Sequence, residues 1–524
     1  MAEVLFTNTG NAAEDRRVRR LAEEGQLRRI VPRVYTANLR DPLDAIVQRN
    51  LWQILGKLFP GAVISARSAA LTAPAFHRDA AGNAVPPGFV FLTGPSRRSL
   101  SLPGIEVRLT AGPGPLPGDI PFSGLYLASA PRQLLENLSP TRERSGMARG
   151  LGREGVERFL VRQCDIAGEE RLNEIRDRAR ELQTPLGAEA AFQELDKLIG
   201  TLLRSRTAAL STPAGLALAR GEPIDTGCVD RLNALFTFLR STPMPRRPDR
   251  GAGTPAVSAA AFIEAYFSNY IEGTRFLVEE ARAIVFDGII PDRRPQDGHD
   301  VLATFQQVSA VEDMTRPPDT FEAFEAALKA RHHALMSARP DVAPGQFKTR
   351  PNQAGNTVFV PPGQVRGTLR EGFRLLAGLD EPLARAVFVH FLVADVHPFA
   401  DGNGRISRIM MTAELVRASL ARIIIPTVFR DDYLGAMRAL TRHGDPAPVF
   451  RCLDRAQGIA AAIVEEDVRR AVEAWATTHA FLEPGEHARF TAYDPDIPIE
   501  WRNGVPAPRS YWEAVSGNSP LPWG

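Results

Sequence analysis

At 524 residues the chain is too long for one ordinary hydrophobic core, so two to four domains are expected. Its 44% hydrophobic and 24% charged residues are a globular composition, and no run of about 18 uncharged apolar residues marks a membrane span. A net charge of +2 excludes a polycation, three scattered cysteines (Cys164, Cys228, Cys452) argue against a disulfide framework or a zinc site, and the N-terminus lacks a secretory pattern, so a cytoplasmic chain is expected.

In residues 14–36, EDRRVRRLAEEGQLRRIVPRVYT, Val18 and Leu21 set a helical face that Gly25 can end. Leu27, Ile30, Val31, Val34 and Tyr35 then predict short extended segments around Pro32. Arg16, Arg17, Arg19, Arg20, Arg28, Arg29 and Arg33 form a basic cluster, and a second helix is predicted near 42–58. Helix, helix and basic hairpin is the pattern of a winged helix, assigned to 1–85 as a DNA- or protein-binding module. A small β-containing extension is expected over 86–140: Phe89 and Phe91 alternate on one face, Ile105, Val107 and Leu109 follow, and Gly94-Pro95 marks a turn between them. A helical spacer is expected over 141–240, then a Pro-, Gly- and Arg-rich linker at 241–256, STPMPRRPDRGAGTPA. Residues 257–470 read as one mainly helical domain interrupted at 339–363, and 471–524 as a C-terminal helix with an irregular tail. No internal repeat is visible.

The informative segment is 397–408, HPFADGNGRISR. A buried helix is predicted before it (380–396) and another after it, so the segment is a loop opening onto a helix N-terminus. Gly402, Asn403 and Gly404 let successive N–H groups turn inward, and the helix N-terminus adds unpaired donors, which makes an anion nest sized for a diphosphate. Asp401 is a hard oxygen ligand suited to Mg²⁺ shared with phosphate oxygens. Arg405 and Arg408, one turn apart, can reach distal phosphates. His397, beside the nest, is a candidate acceptor for a hydroxyl proton.

HPFADGNGRISR resembles, position for position, the signature of the Fic family, His-Pro-Phe-x-(Asp/Glu)-Gly-Asn-(Gly/Lys)-Arg-x-x-Arg. The wider resemblance covers roughly 255–455. It implies a mainly α fold: an α-helical Fic core with a β-hairpin flap, preceded here by the α/β winged helix-turn-helix and the small β segment. It also implies transfer of AMP from ATP to a Ser, Thr or Tyr hydroxyl of a target protein, with self-modification as one outcome. In that reading His397 is the base and Asp401 holds Mg²⁺. Gly402, Asn403 and Gly404 take the α- and β-phosphates, Arg405 the β-phosphate and Arg408 the γ-phosphate.

Upstream, SNYIEG (268–273) lies in a stretch patterned as a helix near 258–283, with Ser268 and Glu272 on one face. It resembles the family's inhibitory helix, Ser/Thr-x-x-x-Glu-Gly/Asn, through Ser268, Glu272 and Gly273. The resemblance implies that Glu272 pairs with Arg408 and blocks the γ-phosphate; the same Glu could instead help water attack AMP-protein, giving de-AMPylation. Residues 356–362, NTVFVPP, resemble the family's flap, so Thr357, Val358 and Phe359 are expected to pin a target peptide by strand-like pairing. In 423–437, Tyr433 and Leu434 are the expected wall of the adenine pocket.

Residues 14–75 loosely resemble the winged helix of AbiEi-type antitoxin regulators through RRLAEEGQLRRIVPRVYT and GAVISARSAALTAP, although Arg33 stands where a glycine is expected. That resemblance implies DNA as a partner of 14–75. Three readings follow: an autoinhibited AMP-transferase; an enzyme of the same fold with kinase-like or phosphocholine-transfer chemistry; and a DNA-binding regulator whose Fic core senses nucleotide or de-AMPylates. Gly404 argues against the kinase-like branch, which carries Lys there. No membrane partner is expected.

Overall fold

A computed structural model of the chain describes residues 3–79, 83–139, 147–316, 318–485 and 488–516. Residues 141–146 of the expected spacer and 517–524 of the expected tail lie outside them. The protein is mainly helical and divides into two compact units between Gly221 and Glu222.

The first unit opens with strand β1 (Val4–Phe6), helix α1 (Ala12–Glu23) and the hairpin β2 (Arg28–Val31)–β3 (Val34–Thr36). These strands form an antiparallel sheet in the order β1-β3-β2. Asn11 caps α1 by accepting from the Ala13 and Glu14 N–H groups, and Val18 buries against Leu5 and Leu27. The expected helix–helix–hairpin order is not the observed one. VLF at 4–6 pairs with β3, so a strand and a single helix precede the hairpin. Arg33 takes the left-handed turn (φ +74°) where glycine is the easier residue.

Helix α2 (Leu43–Leu58), strand β4 (Val63–Ile64) and helix α3 (Ala66–Leu71) lead into a seven-stranded sheet. Its other strands are β5 (Ala75–Arg78), β6 (Ala84–Gly94), β7 (Arg98–Leu102), β8 (Ile105–Ala111), β9 (Ile120–Phe122) and β10 (Leu125–Leu127). The order is β7-β8-β6-β4-β10-β9, with β5 on β6. The expected boundary at 85/86 falls inside β6, which pairs with β4 and β5 and cannot be divided from them. The turn at Gly94-Pro95 leads not to β8 but to β7, a polar strand that hairpins onto β8 while β6 and β8 run parallel. Helices α4 (Ala130–Leu138), α5 (Gly152–Leu186, kinked at Gly168), α6 (Glu189–Leu202) and α7 (Pro213–Ala219) complete the unit.

The second unit begins with α8 (Thr226–Ser241), which the sequence placed in the spacer. Its Leu232, Leu235 and Leu239 enter the same core as the helices that follow. The expected linker is a strap on this core: Pro248 bridges to Leu420, and Arg247 reaches Asp454 at 2.6 Å. Helix α9 (Ala256–Ile271) is apolar on nearly every face and correspondingly buried. The expected helix to 283 breaks after Ile271 because Gly273 turns the chain at φ +92°, and α10 (Val278–Arg282) is separate. Then come α11 (Pro295–Ser309), α12 (Val311–Met314), α13 (Phe321–Met336) and a hairpin of β11 (Gln353–Ala354) and β12 (Thr357–Val358). After α14 (Val365–Ala377), α15 (Pro382–Val396) and α16 (Asn403–Arg417) form a tightly packed helical hairpin at the centre of the core.

Helices α17 (Arg430–His443), α18 (Ala447–Ala460) and α19 (Val468–Thr477) close the core, followed by the hairpin β13 (Ile499–Arg502)–β14 (Val505–Pro508) and α20 (Arg509–Ser516). The segment expected to be a tail is structural. Phe490 of that segment packs against Trp475 of α19 at 6.4 Å between ring centres, and Trp512 is buried. It shows no sequence period because its aromatics are seated from loops and short elements rather than from one helix face.

Candidate active site

The loop between α15 and α16 is built by two left-handed residues. His397 ends α15 at φ +52°, and Gly402 starts α16 at φ +75°. A Cβ on Gly402 would also meet Met336 Sδ at 2.8 Å, so glycine is required twice over. The Asn403 side chain closes the loop: Oδ1 accepts from the Phe399 N–H and Nδ2 donates to the Phe399 C=O, both at 2.9 Å. Asn352 Nδ2 donates to the same carbonyl at 2.9 Å, and the Lys348 N–H donates to Pro398 C=O at 2.9 Å. The first intrahelical bond of α16 runs from the Ile406 N–H to Gly402 C=O. The N–H groups of Asn403, Gly404 and Arg405 therefore lie in the turn whose donors a helix leaves for a cap or an anion.

His332 on α13 braces this loop from below. Its ring stacks on Phe399 at 3.6 Å, Nδ1 accepts the Gly345 N–H at 2.9 Å, and Nε2 contacts Asp401 C=O at 3.0 Å. Those partners fix a neutral ring protonated at Nε2, and burial pushes its pKa down to about 4.

His397 stacks face to face with Phe359 of the flap at 3.6 Å. Its Nδ1 lies 3.2 Å from Ala394 C=O, which sets the tautomer with the proton on Nδ1 and leaves Nε2 as the free base. Burial pushes the imidazole down to about 4, helped by the Lys348 ammonium and opposed by the Ala394 carbonyl. The ring is therefore neutral, able to accept a proton, throughout the physiological range.

His397 opens into a cavity of about 590 Å³ whose wall includes Glu272, Thr357, Phe359, Gly404, Arg408, Tyr433 and Leu434. The Glu272 carboxylate lies directly over Gly404, where an added Cβ would stand 2.1 Å from Oε1. Arg408, 4% exposed, points its fork at the end of α9. Its Nη2 donates to Glu272 Oε1 at 2.7 Å and to Ser268 C=O at 2.9 Å, and its Nε donates to Ser268 Oγ at 2.9 Å. Tyr433 adds a hydroxyl facing Arg408 and lies 2.9 Å from His390 Nε2.

The predicted residues thus separate into groups. His397, Glu272, Gly404, Arg408, Thr357, Phe359, Tyr433 and Leu434 meet in one cavity, and Ser268 supports Arg408 from beneath. Gly273 ends the helix that carries Glu272. Val358 projects outward, 71% exposed. Arg405 turns away from the cavity: its guanidinium is buried against Asp300 Oδ2 at 2.5 Å, and Asp300 also holds Arg339. Asp401 is exposed at the mouth of the loop, with Oδ1 accepting the Gly402 N–H at 2.7 Å. A single accessible carboxylate beside unpaired helix donors fits the way Mg²⁺ is shared between one protein oxygen and phosphates. Sequence reasoning missed His332, His390 and Asp300, whose buried positions within helices look like ordinary core. It also missed Arg438 and Arg442, for which the i, i+4 spacing from Leu434 was available.

Residues 321–415 match the Fic/DOC family, and these residues contain α13, the flap hairpin and the α15–α16 loop. That stretch is similar to a Fic domain. Among curated proteins, the protein adenylyltransferase Fic of Nematostella vectensis is 26% identical over 248 residues, covering 46% of this chain and 57% of that protein. Protein adenylyltransferase fic-1 of Caenorhabditis briggsae is 22% identical over 241 residues, covering 45% and 46%. The chain thus spans about half the length of these relatives. Among solved structures, a Fic domain containing signaling protein from Bacteroides thetaiotaomicron is 20% identical, covering 46% of this chain and 99% of that one, with a TM-score of 0.35. The matched residues include the loop assembled above from Asn403, Asn352 and His332.

Proposed function

We propose that this chain is a protein AMP-transferase held inactive by its own Glu272. The observation that carries the reading is the placement of one carboxylate: Glu272 sits over Gly404 at the start of α16, paired with Arg408, beside His397. A helix N-terminus with a buried arginine is an anion site, and here a side-chain anion fills it. The names of the relatives, protein adenylyltransferases, support ATP as the donor.

In the reaction a Ser, Thr or Tyr hydroxyl of the target attacks the α-phosphorus of ATP. A P–O bond forms to the hydroxyl oxygen, the bond to the β-phosphate bridging oxygen breaks, and pyrophosphate leaves. His397 Nε2 takes the hydroxyl proton, its ring held by Phe359 on one face and by the Ala394 carbonyl behind. The N–H groups opening α16 receive charge on the phosphates, and Arg408, once free of Glu272, orients the terminal one. Asp401 would hold Mg²⁺, whose charge would offset that of the phosphate oxygens. The flap backbone at 354–357 borders the cavity and registers the target strand.

Inhibition is competition for Arg408, since one guanidinium cannot serve Glu272 and a phosphate in the same geometry. Hydrogen bonds to charged groups contribute about 1.5–3 kcal/mol, which corresponds to roughly ten- to a hundredfold in rate if all of it opposes productive binding. The test is intact-mass spectrometry of Glu272→Gly incubated with Mg²⁺ and each nucleoside triphosphate. The expected result is a gain of one or more AMP groups with ATP, absent in wild type and in Glu272→Gly/His397→Ala. No mass gain with any nucleotide and any offered hydroxyl substrate contradicts the assignment.

A further inference from the structure

Two guanidinium groups at the cavity have no counterpart in the chemistry above. Arg438 and Arg442 are four residues apart on α17, both exposed, and both line the cavity that holds His397. Neither makes an ion pair among the described residues. The two carboxylates in the wall are already engaged: Glu272 with Arg408, and Asp395 with Arg231 at 2.8 Å and the Thr441 hydroxyl at 3.0 Å. The free charge facing the cavity from α17 is therefore positive.

Along α17 these arginines lie one and two turns beyond Leu434, the expected wall of the adenine pocket. The helix's first turn carries Tyr433, which faces Arg408 at the phosphate end. Its last turn carries Arg442, whose Nη2 lies 3.5 Å from Thr357 Oγ1 of the flap. Arg438 lies one turn back on the same face, so the pair stands at the flap end of the cavity. A target strand laid along β12 would pass between the flap and this helix face.

We infer that Arg438 and Arg442 select target segments with Asp or Glu within a few residues of the modified hydroxyl. This rests on the protein-modifying reading above and names the chemistry of its substrate. The acidic side chains would pair with the two arginines while the strand pairs with the flap, and the hydroxyl is delivered to His397 between them.

The experiment uses the full chain carrying Glu272→Gly and fluorescein-labelled Thr peptides that differ only in flanking Glu or Lys. Binding is read by fluorescence anisotropy and AMP transfer by mass. Glu-flanked peptides are expected to bind roughly fivefold more tightly, an advantage that fades with salt. Arg438→Gln/Arg442→Gln should abolish the preference, and Arg438→Glu/Arg442→Glu should reverse it, with the change in the peptide KM and not in the ATP KM. Equal binding of both peptides, or a rise in the ATP KM with unaltered peptide preference, overturns the inference and assigns the arginines to the nucleotide. The anisotropy arm decides this whether or not transfer occurs, whereas absence of transfer from ATP to any hydroxyl strikes the AMP-transferase reading instead.

Discussion

Asn403 shows how one side chain can fix the loop that opens α16. Its amide holds both backbone groups of Phe399, so Asn403→Ala leaves the Phe399 N–H without its partner. Loss of two buried hydrogen bonds should cost about 2 kcal/mol, measured by urea unfolding, and should weaken ATP binding to Glu272→Gly/Asn403→Ala. Unchanged stability and affinity would show that Asn352 alone holds the loop. Gly404 makes the proposed inhibitory geometry testable in another way. A Cβ there would stand 2.1 Å from Glu272 Oε1, so Gly404→Ala should destabilise wild type more than it destabilises Glu272→Gly. The difference, read as a double-mutant cycle, should be on the order of 1 kcal/mol. Additive effects would place Glu272 elsewhere in solution.

At the scale of elements, two helices bring three buried imidazoles to one site. His332 on α13 and His397 at the end of α15 are pushed down to about 4, and His390 inside α15 to about 3, in each case chiefly by burial. All three shifts are downward from the unfolded value of about 6.5, so between pH 6.5 and 4 the unfolded chain binds more protons than the folded one. Stability is therefore full above about pH 6.5 and falls on acidification. Each proton contributes about 1.4 kcal/mol per pH unit, and the three together a slope near 4 kcal/mol per pH unit around pH 5. Urea titrations at pH 7.5, 6 and 5 read this directly; a stability flat to pH 5 would mean that the imidazoles are already solvated. The same shift predicts that kcat/KM of Glu272→Gly holds level from pH 8 to about 5, without the fall near 6.5 of an ordinary histidine base.

The molecule as a whole was legible in proportion to how local its determinants are. HPFADGNGRISR carries its own loop, caps and helix start, so His397, Gly404, Arg408 and their common cavity could be named from the chain alone. The pairing of Glu272 with Arg408 joins residues 136 apart, and only the resemblance made it visible. Arg405 was misplaced for the same kind of reason: its position on the helix is local, but the carboxylate that draws it inward, Asp300, is on α11. The N-terminal sheet and the C-terminal aromatics were misread because parallel pairing of β6 with β8 and loop-seated packing of Phe490 against Trp475 leave no period to read. The division at Gly221/Glu222 gives a prediction at this scale. Scanning calorimetry should resolve two transitions, and an unreactive ATP analogue with Mg²⁺ should raise only the one belonging to residues 222–524 in Glu272→Gly. A single transition, or a shift of both, would show that the units unfold as one.

A crystal structure of Glu272→Gly soaked with ATP and Mg²⁺ addresses the core of the account. A phosphate oxygen should take the place of Oε1, within hydrogen-bond distance of Arg408 and the N–H groups that open α16, with the α-phosphorus in front of His397 Nε2. A triphosphate bound away from Gly404, with Arg408 still turned to Ser268 alone, would contradict it.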